Sequence, residues 1–265
     1  MDEVLAGGVA NAGAVRRRGD VVVRPSNAHS STIHVLLRAL RTVGFTGAPE
    51  PIGLSDSDEE LRFVEGDVAL PPYPAWAQSD DALASVARLL RRFHDASARV
   101  SAPLLGDVWS DAFGAPPPEA TVICHLDVCL ENVVFRDGVA VALLDFDFAA
   151  PGDPLDDLAS MARMCVPVDD GVRREQLQWT SVGVGRRLRV VLDAYDASVT
   201  DRATFIDRLD RSIVLAERFV RTRVERGEPS FAAMWESFGG EQRFTRRRQW
   251  FDACREELRD AVVGS

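Results

Sequence analysis

Apolar residues recur along this chain in two rhythms, a short alternating one and a helical one. Near the start, Val4-Leu5, Ala14–Arg18 and Val21–Arg24 read as three short strands, and Pro25 ends the third. Gly7, Gly8 and Gly13 separate the first two, and a Gly19-Asp20 turn separates the last two. Ile33, Leu36, Leu37, Leu40 and Val43 then follow a helical spacing. They predict a helix over Thr32–Val43, capped by Ser30 or Ser31 and ended by Gly44. Leu61–Val64 reads as a strand, followed by Glu65-Gly66. A proline-rich connector at Pro71–Trp76 leads to a helix over Ala82–Ala98, capped by Asp80 or Asp81, with Leu83, Val86, Leu89, Leu90 and Phe93 on one face. Further on, Pro154 opens a helix running to Met164. The remainder reads as helices over Leu177–Ser198, Arg202–Arg226, Phe231–Phe238 and Gln242–Val263.

Between the helical stretches lies a hairpin. Val133–Phe135 and Val139–Leu144 are apolar runs joined by Arg136-Asp137-Gly138, and Asp-Gly between such runs is a strong turn signal. An antiparallel hairpin brings the start of its first strand beside the end of its second. Asn132 sits at that start and Asp145 at that end, so two oxygen ligands converge, as a hard Mg²⁺ ion requires. Asp127 lies one loop earlier, able to face a hydroxyl, and His125 precedes it by two residues. An Asp, an Asn five residues on, and an Asp after a hairpin is the layout of a phosphoryl-transfer site. Singly, each of these residues is a common turn former. Together they make a catalytic constellation.

The run HLDVCLEN at 125–132, with LLDFDFAAPGDPLDDLA at 143–159, resembles the aminoglycoside phosphotransferase family, small-molecule kinases of the kinase-like fold. The resemblance implies a two-lobed α+β, protein-kinase-like fold. A small antiparallel-sheet lobe would span residues 1–66 and a larger, mainly helical lobe residues 67–265. ATP or GTP would lie between them. Asp127 would orient the acceptor hydroxyl and take its proton, with His125 anchoring the loop. Asn132 and Asp145 would hold Mg²⁺. Phe63, Val64 and Glu65 would form the hinge that meets adenine. Gly7, Gly8 and Gly13 would lie over the phosphates, although an ordinary hairpin with flexible glycines reads the same way. Arg24 stands where such folds carry a phosphate-binding Lys, and the helix after it contains no Glu or Asp. Arg24 is therefore expected to meet phosphate without a Glu partner. Asp169 and Asp170 begin a loop where the family keeps acidic substrate contacts; a plain capping pair is the other reading.

Composition narrows the partners. The chain has 265 residues, a formal charge of −10 and no lysine; its basic side chains other than histidine are all Arg. That charge disfavours nucleic acid and suits a cationic acceptor. No apolar run approaches the ~20 residues of a membrane helix, and Met1-Asp2-Glu3 does not look like a signal peptide. A cytoplasmic protein with no membrane partner is expected. Cys124, Cys129, Cys165 and Cys254 form no C-x-x-C pair and read as free, mostly packed thiols. His94 reads as a surface or packing residue, and Arg246–Arg248 as a solvated face. The expected reaction is γ-phosphoryl transfer to an antibiotic such as an aminoglycoside. A metabolic kinase for choline, homoserine or a sugar would share these residues, and so in part would a non-catalytic nucleotide-binding relative. The oligomeric state is not legible.

Overall fold

The computed structural model describes residues 3–5, 14–180 and 183–264. Gly7, Gly8 and Gly13 lie outside the described residues. Five strands form the first sheet: β1 (Glu3–Val4), β2 (Arg16–Arg18), β3 (Val21–Pro25), β4 (Pro51–Leu54) and β5 (Asp58–Arg62). Their order is β1-β2-β3-β5-β4, with antiparallel neighbours throughout. β4 was not predicted; its Pro and Gly suit only an edge position, which is where it lies. Helix α1 (Ser30–Thr42) packs Ile33, Leu36, Leu37 and Leu40 inward. Ser30 and Ser31 sit inside its first turn rather than capping it, and Ser30 Oγ accepts from the Asn27 amide.

Gly66 lies between the last strand of this sheet and β6. The chain then enters a second sheet, in which β6 (Asp67–Val68) pairs with β8 (Val133–Arg136), and β8 with β9 (Val139–Leu143). β7 (Val122–Cys124) and β10 (Ala150–Gly152) form a separate antiparallel pair.

Helix α2 (Asp80–Val100) is the frame of the larger lobe. Ser79, not Asp80 or Asp81, caps it by accepting from the Ala82 amide; the two aspartates occupy its first turn. Leu83, Val86, Leu89, Leu90 and Phe93 are each at most 1% exposed. The same helix also carries buried hydroxyls that hold neighbouring strands. Ser85 Oγ accepts from the Ala140 amide of β9 at 2.8 Å, beside the bulge where the β8–β9 register shifts. Ser97 Oγ and Ser101 Oγ accept from the Ile123 amide of β7 at 2.9 and 3.0 Å.

Beyond β10 the chain is helical: α3 (Pro154–Cys165), α4 (Gly171–Gln176), α5 (Val184–Tyr195), α6 (Val199–Glu225), α7 (Pro229–Ser237) and α8 (Gly240–Val263). The single helix predicted over Leu177–Ser198 is instead α5 alone, with the shorter α4 before it. Gln178 adopts a left-handed φ of 56° in the break between them. Among the described residues, no helix is long and apolar enough to cross a membrane.

Gly66 has a φ of 143°, and a Cβ there would lie 2.4 Å from the Phe135 carbonyl oxygen and 2.6 Å from Val134 Cγ1. Backbone strain and overpacking act together. Gly66→Ala is therefore expected to cost roughly 2–4 kcal/mol in urea denaturation, whereas Gly106→Ala, with open space around it, should stay close to wild type.

Candidate active site

The loop after β7 begins with His125 and ends in a short turn at Leu130–Asn132 before β8. One buried carboxylate holds it. Asp157, on α3, accepts the His125 amide at Oδ2 (2.6 Å) and the Leu126 amide at Oδ1 (2.8 Å), and Oδ2 also meets His94 Nε2 at 2.9 Å. Burial would raise the Asp157 carboxyl, but these donors and the two histidines outweigh it and hold its pKa below the usual range. The two amides keep Leu126 at a left-handed φ of 63°.

His94 is thus a packing residue rather than a surface one, buried at 3% exposure; its Nδ1 meets the Tyr195 hydroxyl at 2.7 Å. His94, Cys124 and Asp157 place ligand-type atoms within 4.8 Å of one another. The Asp157 oxygens and both His94 nitrogens are already engaged, so the cluster is a structural hub.

His125 is fully buried, and its ring lies 4.5 Å from that of Phe146. Nε2–H donates to the Leu144 carbonyl at 2.9 Å, and Nδ1 accepts from the Asp127 amide at 3.3 Å. Burial lowers its pKa, so it is a neutral brace between the loop and the end of the hairpin. The hairpin turns through Asp137 and Gly138 at φ 51° and 75°, both left-handed, as a two-residue turn of this type requires. Its ladder ends with the Leu144 amide donating to the Asn132 carbonyl at 2.7 Å. That bond sets Asn132 beside Asp145, which adopts a left-handed φ of 59°. Asn132 Nδ2 donates to the Asp127 carbonyl and to Asp127 Oδ2, both at 3.0 Å, which leaves Asn132 Oδ1 to accept or to ligate. Burial, and next the Asp145 charge, push the Asp127 carboxyl well above the usual range.

Arg24, from β3, closes this cluster from the other lobe. Nε donates to Glu59 Oε1 at 2.8 Å, Nη1 to Asp145 Oδ1 at 2.9 Å, and Nη2 to Asp147 Oδ1 at 2.5 Å. The expectation that Arg24 lacks a Glu partner is therefore corrected: the partner is Glu59, supplied by β5 rather than by the helix. Glu59 in turn meets His34 Nε2 at 2.9 Å. Burial alone would lower the Arg24 pKa, but Asp145, Asp147 and Glu59 raise it overall. The carboxylates remain in excess. Burial and then Asp145 push Asp147 up to about 6 despite Arg24. Surplus negative charge on hard oxygen donors, with Asn132 Oδ1 free, fits a second, divalent cation such as Mg²⁺.

Arg24, Asp127, Asn132, Asp145 and Asp147 line one cavity of about 870 Å³, within the range of ligand sites. Phe63 and Val64 line it on the small-lobe side. Glu65 is not among the described residues that do: its carboxylate pairs with Arg17 and its carbonyl accepts from Arg136. The Arg17 guanidinium covers the Phe63 ring at 3.6 Å.

The other end of the cavity lies among α3, α4, α6, α7 and α8, with Phe219, Phe231 and Trp235 on its apolar walls. Asp169 and Asp170 are buried but not free. Asp170 caps α4 by accepting from Val172 and Arg173 amides and faces Arg246 Nε at 3.4 Å. Asp169 Oδ2 accepts from Arg243 at 3.1 Å. Their predicted attraction of cationic amines is corrected accordingly, since arginines already hold them. Arg246–Arg248 is not a solvated face either: Arg247 is 3% exposed and lines the cavity, and Arg248 pairs with Asp210. Sequence reasoning missed Glu59, Asp157 as the loop anchor, and the arginines of α4 and α8. The cysteines are free, with Cys124, Cys129 and Cys165 buried.

A profile of the phosphotransferase enzyme family matches residues 102–191. The trifolitoxin immunity protein of Rhizobium leguminosarum bv. trifolii is 32% identical over 260 residues, covering 94% of this chain and 95% of that protein. A choline/ethanolamine kinase family protein from Mesorhizobium loti superposes with a TM-score of 0.63 at 16% identity, over 100% of this chain and 93% of its own. Spectinomycin phosphotransferase, solved with ADP and spectinomycin, superposes with a TM-score of 0.56 at 11% identity, over 99% of this chain and 92% of its own. The two structural likenesses show the kinase-like fold, a small sheet-bearing lobe and a larger helical one.

Removing the Asp157 carboxylate leaves two buried amides and His94 without their acceptor. Asp157→Ala is expected to lose about 3–5 kcal/mol of unfolding free energy, the usual cost of breaking a buried charged network. Urea denaturation followed by circular dichroism measures it. A loss under 1 kcal/mol would mean that the loop is held elsewhere.

Proposed function

The chain belongs to the phosphotransferase enzyme family, and from that footing we propose that it transfers the γ-phosphoryl group of ATP or GTP to a hydroxyl of a small molecule. One observation carries this reading. Asp127 and Asn132 are hydrogen-bonded to each other, and Asn132 is set beside Asp145 across the end of a hairpin, on the wall of a ligand-sized cavity.

Asp127 orients the acceptor hydroxyl and takes its proton as the oxygen attacks. Its raised pKa makes it a stronger base than an ordinary carboxylate. The Asn132 amide group holds Asp127 in place through Nδ2 while offering Oδ1 on its other side. His125 braces the loop and does not touch the reacting atoms. Asn132, Asp145 and Asp147 are the side chains that would hold Mg²⁺, which would offset the charge of the phosphate groups. Arg24 has three donors, each on its own carboxylate, and exchanges one of those carboxylates for a phosphate oxygen when nucleotide enters. Phe63 and Val64 flank the adenine. Most of the work is positioning and electrostatic stabilisation.

The relative's name speaks of immunity to trifolitoxin. We therefore take the acceptor to be an antimicrobial small molecule, disarmed in the cytoplasm where the nucleotide pool lies. A screen of phosphate transfer from radiolabelled ATP to hydroxylated antibiotics and common metabolites tests this directly. Transfer to none of them, together with failure to bind Mg-ATP, would overturn it.

Asp127→Asn is expected to lose roughly 10²- to 10⁴-fold in kcat with Mg-ATP affinity nearly unchanged by calorimetry. Turnover within twofold of wild type would remove Asp127 as the base. Asp145→Ala should weaken Mg-dependent ATP binding more than Asn132→Ala, because a carboxylate binds a hard cation better than an amide does. Arg24→Gln should raise the nucleotide KM about tenfold or more, the worth of a charge-assisted hydrogen bond, and leave the acceptor KM close to wild type. Steady-state kinetics varying each substrate in turn separates the two.

A further inference from the structure

The end of the cavity away from Arg24 is cationic. Arg163, Arg173 and Arg247 line it and make no ion pair among the described residues, whereas Arg243 is paired with Asp169. Arg247 is 3% exposed, and its Nε and Nη2 reach no partner; Nε of Arg173 is likewise buried and unpartnered. An unpaired buried guanidinium is costly, so a folded chain that keeps one has a partner to come. The neighbouring carboxylates do not fill that role. Asp169 is held by Arg243 and Asp170 by Arg246 and the α4 amides, while Glu217 Oε1 is buried without a partner and its carboxyl is pushed up by burial. Burial, with Arg163 and Arg243 nearby, brings Arg247 down to about 9. Arg163 in turn feels the charge of Asp127, so the cluster adjoins the place of the reacting hydroxyl. Phe219, Phe231 and Trp235 supply apolar walls beside it.

We propose that the acceptor is a carboxylate-bearing molecule with an apolar or aromatic body, its carboxylate seated on Arg247 and Arg173. A guanidinium fork matches the two oxygens of a carboxylate. The proposal rests on the phosphotransferase reading for the identity of this end as the acceptor side. It also runs against polycationic acceptors such as aminoglycosides, and against choline.

Fluorescence titration with two dansyl probes of opposite charge tests it, with no turnover involved. Dansylglycine carries a carboxylate and dansylcadaverine an ammonium. With Mg-ADP present, dansylglycine is expected to bind at least tenfold more tightly, and Arg247→Gln to abolish that preference. Arg173→Gln, a more exposed site, should reduce it severalfold and decides the matter if the Arg247 variant does not fold. Equal or tighter binding of dansylcadaverine, or an undiminished preference in the folded variants, overturns the proposal. Mg-ATP calorimetry on the same samples keeps the outcomes apart. Anion preference without ATP binding sinks the phosphotransferase reading and leaves the anion site standing. ATP binding without anion preference does the reverse.

Discussion

The loop between β7 and β8 hangs on one carboxylate that never meets water. Asp157 is fully buried, and it survives there because every direction around it holds a donor: His94 on α2 and two amides of the loop itself. A buried charge is tolerable only when so paired. The arrangement joins three elements at a point. α3 supplies the charge, α2 supplies the histidine, and the loop between β7 and β8 supplies the amides that keep Leu126 in its left-handed turn. Asp127 comes next in sequence, so its direction is inherited from this bond. The serines of α2 that hold β7 and β9 extend the same principle. A helix that is apolar on most of its buried face uses a few hydroxyls to fix strand ends that would otherwise slide.

Charge is segregated along the cavity. At one end Asp127, Asp145 and Asp147 line the wall with Arg24, which bonds Asp145, Asp147 and, behind the wall, Glu59. At the other end the guanidinium groups are in excess. Each end is unsatisfied alone, in opposite senses. A cation-loaded nucleotide suits the first, and an anion suits the second. The overall charge of −10 conceals this division, because most of the acidic residues face solvent or pair with arginines on the outside.

What the sequence revealed was local, and what it hid was long-range. The hairpin was legible because Asp137-Gly138 encodes its turn and apolar runs flank it. The loop was legible because its chemistry lies within eight consecutive residues, 125–132. Glu59 was not legible as the partner of Arg24. They lie directly opposite across β3 and β5, a register that only the folded sheet defines. The arginines of α8 misled for a related reason. Three in a row suggest solvent, yet a helix turns successive residues to different sides, and Arg247 points in while Arg248 pairs on the flank. Helix α4 is short and stops where Gln178 turns left-handed, which no apolar period announces. The caps differ too: Ser79 caps α2 instead of Asp80 or Asp81, and no side chain caps α1.

Arg24 also settles how this protein responds to chemical labelling. Nucleotide-shaped acyl phosphates tag ATP-binding proteins by acylating a lysine amine near the phosphates. A guanidinium stays protonated and is a poor nucleophile, and the chain holds no lysine anywhere. If the cleft takes a nucleotide, as proposed above, such reagents would find no lysine side chain to acylate there, and a survey by amine acylation would pass over it.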